Sequence, residues 1–423
     1  MTATTRPTSR PTPGVLPVRS APGQAADPRW SSSAIRDLLA HAQSPDVISL
    51  AGGLPAQAVL PVERIADRAA RVFEREGARS LQYGMTAGEP TLRELVASFE
   101  ALQPDDLVIT AGSQQALDLL ARTVSRPGDT VIVEAPGYVG ALQVLRANGL
   151  ELVGCPVDDD GLETTELEHL LEGGSRPTLV YTNPNHQNPT GGSLSAERQQ
   201  HLLALADRFG FWIIADDPYR EITFDRPVPL PEQGLHPSTS DRVLLLGSLS
   251  KTLAPGLRIG WCSGGSDVMG RIELAKQATD LHTATFNQLL AASALGDERW
   301  WAQHLDGLRT HYRDRRDQLA EAVAHHLPDA VVARQSGGFF LWLDLPGVDT
   351  SSLLDRALEA GVAFVPGSAF TIGDSMSSTL RLSYSFADIG AFDEAVRRLS
   401  AAVAGVGPAS GRRGAVSGWG ARW

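Results

Sequence analysis

The sequence predicts an α/β protein, a mostly parallel sheet covered by helices on both faces and joined to a smaller α+β unit. Two observations carry that expectation. Short apolar, β-branched runs recur through the first two-thirds of the chain and are separated by amphipathic helical patterns, as in sheets buried on both faces. Beyond about residue 330 the strands draw together with helices flanking them, the pattern of a compact α+β unit.

Residues 1–29 are rich in Pro, Thr, Ser and Arg and read as a disordered lead. They lack the apolar run of a secretory signal, and the prolines spoil the amphipathic helix of a transit peptide. Strands are expected over 106–110, 130–134, 178–182, 211–215, 242–246 and 259–262, with a helix such as 195–208 between them. A long helical region follows over 267–326. Next come strands at 330–335 and 339–345, a helix near 351–360 and a strand at 379–385. The division expected is a large domain over 61–299 and a small one built from 30–60 and 300–404. Residues 405–423, rich in Gly, Ser, Ala and Arg, read as a flexible tail.

A net charge of −12 argues against a nucleic-acid backbone or an anionic membrane surface as a partner, which leaves small molecules. No stretch of eighteen apolar residues is present to span a bilayer. Cys155 and Cys262 are too few and too scattered for a disulfide framework or a cysteine metal site, so no metal is expected and a reduced cytoplasmic setting is. Only two of the 37 basic residues are lysines, Lys251 and Lys276. Any amine chemistry must use one of them.

In open α/β sheets ligands sit beyond the carboxyl ends of the strands, so the polar residues following each strand are the candidates. After the first comes Gly112-Ser113-Gln114-Gln115, opening a helix whose free N–H groups suit a phosphate. Alone, Ser113 reads as a plain N-cap. After 178–182 comes Asn183-Pro184-Asn185-His186-Gln187-Asn188-Pro189-Thr190-Gly191, either a donor of amides to a cleft or mere turn chemistry. After 211–215 stands Asp216-Asp217-Pro218-Tyr219, where a carboxylate and a phenol can hold a cationic ring nitrogen and a ring hydroxyl, or can simply be solvated. After 242–246 runs Gly247-Ser248-Leu249-Ser250-Lys251, with Arg258 seven residues beyond the lysine. An amine desolvated there beside a guanidinium favours its neutral form, which a Schiff-base former requires. Lys276, three residues after Glu273, reads as a solvated helix-face lysine.

These four sites, in this order and at this spacing, resemble the aspartate aminotransferase superfamily of fold type I pyridoxal-phosphate enzymes (class I/II). The likeness is greatest to the branch holding 2-aminoadipate, kynurenine and aromatic aminotransferases, and it spans about residues 32–403. The resemblance implies pyridoxal 5′-phosphate as cofactor and an amino group passed between an L-α-amino acid and a 2-oxo acid by a ping-pong route. It assigns Lys251 as covalent anchor and proton shuttle, Asp216 as partner of the pyridinium nitrogen, and Asn188 and Tyr219 as donors to the phenolic oxygen. Tyr138 would stack on the ring, and Ser113, Gln114, Ser248 and Arg258 would hold the phosphate. Arg381, in Leu380-Arg381-Leu382-Ser383-Tyr384-Ser385, matches the arginine that grips the substrate carboxylate. Tyr83, in Leu81-Gln82-Tyr83-Gly84, matches a tyrosine that reaches the phosphate from the neighbouring subunit, which implies a homodimer. The segment from Ser31 to Arg36, with the Ala51-Gly52-Gly53-Leu54-Pro55 turn, resembles the helix and loop that close over the substrate. Arg36 would there receive a distal carboxylate, with aromatic side chains equally open.

Three other readings compete with this one. The same fold and cofactor also support elimination, cyclisation or decarboxylation, because fold does not fix outcome. A regulator carrying a winged-helix DNA reader is disfavoured by a lead of only about 30 residues. Ser248-Leu249-Ser250-Lys251 fits the Ser-x-x-Lys pattern of penicillin-binding enzymes, but the companion Ser-Asp-Asn and Lys-Thr-Gly motifs are missing.

Overall fold

The computed structural model describes residues 44, 46–224, 234–372 and 376–405. The lead, the segment 31–36 with Arg36, and residues 406–423 lie outside the described residues. A first short strand, β1 (Ile48–Ser49), is followed by the strands β2 (Leu107–Thr110), β3 (Thr130–Ala135), β4 (Glu151–Asp158), β5 (Gly161–Leu162), β6 (Leu179–Thr182), β7 (Trp212–Asp216), β8 (Val243–Ser248) and β9 (Gly260–Ser263). These eight, β2 to β9, form one sheet in the order β2-β9-β8-β7-β6-β3-β4-β5. From β8 through β4 every neighbouring pair is parallel, whereas β9 runs antiparallel to β8 and to β2, and β5 antiparallel to β4.

Alternation along the central strands explains why they are apolar throughout. Val131, Val133, Ile214, Leu244 and Leu246 pack on one face against the helices Ser113–Val124, Val139–Ala147 and Ser266–Gln277. Ile132, Val180, Ile213, Ala215, Val243 and Leu245 pack on the other against Thr164–Glu172 and Ala196–Phe209. With both faces covered, no position in these strands is left for a polar side chain except at the ends. The helix Ala196–Phe209 is started and stopped by its own sequence: Ser195 Oγ accepts from the Arg198 N–H, and Gly210 takes the left-handed conformation at the far end.

Two departures from the expected elements stand out. Strand β4 is absent from the expected set, because it lies toward the sheet edge, only two of its eight residues are buried, and Gly154 and Pro156 break its apolar pattern. The helical region 267–326 is three helices, Ser266–Gln277, Thr285–Leu295 and the 29-residue Glu298–His326.

Past the long helix the strands β10 (Val331–Val332), β11 (Phe340–Asp344), β12 (Val362–Ala363), β13 (Val365–Pro366) and β14 (Thr379–Ser383) follow, with the helix Thr350–Glu359 between β11 and β12. An antiparallel sheet runs β10-β11-β14-β13, and β1 pairs in parallel with β12. The chain after β1 is tied to β14, since the Ser383 N–H donates to the Leu50 carbonyl at 2.7 Å. Residues 50–54 are thereby held against β11 and β14, with the Gly53 carbonyl facing Lys251 just after β8.

Candidate active site

The carboxyl ends of β6, β7 and β8 converge on one cleft. Lys251 follows β8 directly. Its half-buried amine donates to the Gly53 carbonyl at 3.0 Å and lies over the rings of Phe339 and Tyr219, at 5.5 and 5.9 Å from their centroids. Burial brings this amine down from 10.5 to about 8, helped by the charges of Arg381 and Arg258 and opposed by Asp216. A lysine in such surroundings holds a sizeable neutral fraction near pH 7 to 8, which makes it a nucleophile.

Asp216 ends β7, with its side chain buried. One oxygen, Oδ2, accepts from the Tyr181 hydroxyl at 2.7 Å, while Oδ1 has no partner among the described residues. Burial raises this carboxyl to about 6, against the Tyr181 hydrogen bond, with Asp217 adding to the rise. A buried carboxylate with one open oxygen is costly unless a donor or cation faces it. Behind it, Asn183 Nδ2 donates to the Asp216 carbonyl at 2.8 Å and to the Tyr181 oxygen at 3.2 Å. Glu134, at the end of β3, accepts from the Thr182 hydroxyl, the Asn183 N–H and Gln187 Nε2, which fixes the loop after β6. Asn183 and Gln187 belong to the amide-rich loop that the sequence singles out, whereas Tyr181 and Glu134, which support it, are not among the expected site residues. The lone acid in the apolar run Thr130-Val131-Ile132-Val133-Glu134-Ala135 is the signal that could have found Glu134.

At the phosphate-like end, the helix Ser113–Val124 begins after Gly112, whose φ is +87°. A Cβ there would stand 2.4 Å from the Arg258 guanidinium, so the glycine permits both the turn and the approach of the arginine. Arg258 Nη2 donates to the Ala111 carbonyl at 2.9 Å. Ser248 Oγ accepts from the Ser250 N–H at 3.1 Å, and Gln114 Nε2 donates to the Gly140 carbonyl at 3.0 Å. The Tyr138 hydroxyl lies 3.4 Å from Gln114 Oε1, and burial pushes it up to about 12. Tyr219 is buried edge-on to Phe339, and burial lifts its hydroxyl far above the usual phenol range.

Arg381 reaches the cleft from β14. It is buried, donates through Nη1 to Asn188 Oδ1 and through Nη2 to the Ala51 carbonyl, each at 2.7 Å, and leaves Nε unpartnered among the described residues. Phe340 and Phe370 lie over its guanidinium at 4.0 and 4.9 Å. Burial lowers it from 12.5 to about 10, which still leaves it a cation at neutral pH. The turn 51–54 crosses this mouth. Gly53 meets the Phe340 ring so closely that a Cβ would stand 2.7 Å from it.

One of the expected site residues, Tyr83, is not in this cluster. Tyr83 is 77 % exposed on the outer surface, edge-on to His282. Arg36 lies outside the described residues. The reading of Lys276 as a solvated lysine is overturned: the side chain is fully buried and paired with Asp280 at 2.7 Å. It lies on the inner face with Val268, Met269 and Ile272, one turn apart along the helix.

The donor set fits pyridoxal 5′-phosphate. A neutralisable lysine serves an aldehyde, the open buried Asp216 Oδ1 serves a protonated ring nitrogen, and the helix start with Arg258 serves a phosphate. Among the described residues no cluster of His, Cys, Asp or Glu is arranged to hold a metal ion, and no helix is long and apolar enough to cross a membrane.

Comparisons agree with this chemistry. The family described as aminotransferase class I and II matches residues 45–399. An aromatic-amino-acid aminotransferase of Thermococcus litoralis is 38% identical over 381 residues, covering 87% of this chain and 91% of that one. Among solved structures, the α-aminoadipate aminotransferase of Thermus thermophilus, complexed with N-(5′-phosphopyridoxyl)-L-leucine, superposes with a TM-score of 0.83 at 36% identity, covering 89% of this chain and 96% of that one. The Pyrococcus horikoshii kynurenine aminotransferase, solved with pyridoxamine phosphate and kynurenine, gives a TM-score of 0.83 at 37% identity, covering 89% and 95%.

Proposed function

Because the chain belongs to the aminotransferase class I and II family and is a pyridoxal-phosphate-dependent aminotransferase of fold type I, we propose a specific role for each residue around its cleft. The substrates are an amino acid and a 2-oxo acid. When bound, the cofactor supplies an aldehyde for amine exchange and a conjugated pyridinium that accepts the electron pair left by the departing α-proton.

Lys251 Nζ anchors the cofactor and, once a substrate amine takes its place, carries the α-proton. Its lowered basicity keeps the amine available as a base near neutrality. Asp216 Oδ1 holds the proton on the ring nitrogen, while Tyr181, through Oδ2, sets the carboxylate's angle. Tyr219 and Asn188 serve the phenolic oxygen, and Tyr138 covers the ring. Ser113, Gln114, Ser248 and Arg258 receive the phosphate.

Arg381 takes the substrate α-carboxylate with its free Nε–H and remaining Nη–H groups. Its existing bonds to Asn188 and Ala51 fix the fork in place, so little side-chain entropy remains to be lost on binding. Gly53 and the turn around it border the substrate side chain, and Arg36 is proposed as the receiver of a distal carboxylate. Relatives named for aromatic amino acids, 2-aminoadipate and kynurenine supply the donors to test first.

The working unit we propose is a cytoplasmic homodimer in which Tyr83 reaches the partner's phosphate. Leu81, Tyr83 and Met85, exposed in succession at 74, 77 and 55 %, support a face covered by a second copy. We also propose that residues 61–299 act as the large domain, with 30–60 and 300–404 as the small one.

The observation that carries the reading is the pairing of an open, buried Asp216 oxygen with a neutralisable Lys251 amine in one cleft. Incubating the holoenzyme with single L-amino acids and no acceptor tests it. The expected result is one 2-oxo acid per subunit, with the amino group retained on the cofactor. Release of carbon dioxide or ammonia in place of the 2-oxo acid would contradict it.

A further inference from the structure

Lys276 is a buried charge that the proposed mechanism does not use. In a chain with two lysines, one is fully buried where a methionine or leucine would fill the space without desolvating an ammonium. Its partner Asp280 is exposed, so the pair is only half desolvated and adds little net stability, which calls for another physical role for the buried ammonium.

Its partners show what that role is. Lys276 Nζ donates to both oxygens of Asp280, at 2.7 and 2.9 Å, and to Gln115 Oε1 at 3.3 Å. Gln115 Nε2 returns a bond to Asp280 Oδ2 at 2.7 Å, so the amide cannot turn over without losing both contacts. That same Gln115 Oε1 accepts from the Ala111 N–H at 2.8 Å. Ala111 opens the turn into the helix Ser113–Val124, and its carbonyl is held from the other side by Arg258. Ala111, just before Gly112, is therefore clamped on both sides, its N–H by Gln115 Oε1, which Lys276 backs, and its C=O by Arg258.

We propose that Lys276 is a positioning residue for the phosphate end of the cofactor site, acting through Gln115 on the turn that presents the first N–H groups of that helix. It touches no ligand itself. Its ammonium fixes the Gln115 oxygen, the oxygen fixes Ala111, and Ala111 fixes how Gly112 and Ser113 face a bound phosphate. Preorganised N–H groups bind an oxyanion without reorganising, so a loosened turn weakens phosphate capture and leaves ring contacts alone. The inference rests on the cofactor reading given above.

The test compares two probes on the apoprotein, pyridoxal 5′-phosphate and pyridoxal, which share ring and aldehyde and differ in the phosphate. Dissociation constants are measured by spectral titration for the wild type, Lys276→Met and Gln115→Ala. Both variants are expected to bind pyridoxal 5′-phosphate about tenfold more weakly, the scale of one net hydrogen bond, with pyridoxal affinity within about twofold. Gln115→Ala removes only a half-buried amide and carries the test if Lys276→Met does not fold. Unchanged affinity for pyridoxal 5′-phosphate, or equal weakening for both probes, would overturn the proposal. A wild-type protein that binds neither probe would overturn the cofactor reading instead, a result visible before any variant is made.

Discussion

Replacing Arg381 with glutamine should raise the basicity of Lys251, and the size of the effect follows from the site. In the native protein the amine is lowered to about 8, by burial first and by Arg381 next. At pH 7.5 about a quarter of such amines are neutral, against about one in a thousand for a free lysine near 10.4. Arg381→Gln keeps a polar side chain of similar reach but removes the cation. A rise on the order of one unit, toward 9, leaves roughly 3% neutral at pH 7.5, about an eightfold loss of nucleophile. Competitive acetylation of the apoprotein across pH 6 to 11, read by peptide mass spectrometry, reports the inflection at Lys251 directly. An inflection above 10 in the wild type, or one that stays put or falls in the variant, would refute the electrostatic argument. The same shift has a stability consequence. Between pH 8 and 10.5 the unfolded chain holds the extra proton, so the contribution of this group to stability rises with pH across that window.

Asp216→Asn should lower turnover at least about 100-fold while cofactor affinity changes far less, because a neutral amide cannot hold the ring proton by charge; near-normal turnover would remove Asp216 from that role. Glu134→Gln should cost about 1–3 kcal/mol in urea denaturation, since its new amide N–H faces the Gln187 donor and strands a buried group; an unchanged midpoint would contradict this. Gly112→Ala should cost about 1–2 kcal/mol and weaken cofactor binding, because it strains a backbone at φ +87° and pushes on Arg258, and a variant as stable as the native chain would show the turn to be more pliant than it stands here.

The parts legible in the sequence are those where burial imposes a simple pattern. The runs at Thr130–Ala135 and Val243–Ser248 are buried on both faces, so they are apolar except toward their ends, and the polar residues after them fall at the sheet's carboxyl edge by topology alone. Strand Glu151–Asp158 escapes because a mostly half-buried strand carries no comparable pattern. Lys276 is misread when the Glu273 spacing alone is considered. The helical period linking Val268, Ile272 and Lys276 places it on the inner face, and that signal outranks a surface pair. The loop with Asn183 and Gln187 is legible as an amide-rich motif, but its pairing with Glu134 and that of Tyr181 with Asp216 join segments distant in sequence, which no local pattern encodes. Arg381 sits 330 residues from the Ala51 carbonyl it holds, and only the fold brings them together.

The most direct test is to reduce the holoenzyme with borohydride, digest it and locate the cofactor adduct by mass spectrometry. A single phosphopyridoxyl group on the peptide carrying Lys251, and none on that carrying Lys276, is the predicted result. An adduct on Lys276, or none on either peptide, would contradict the assignment of this cleft.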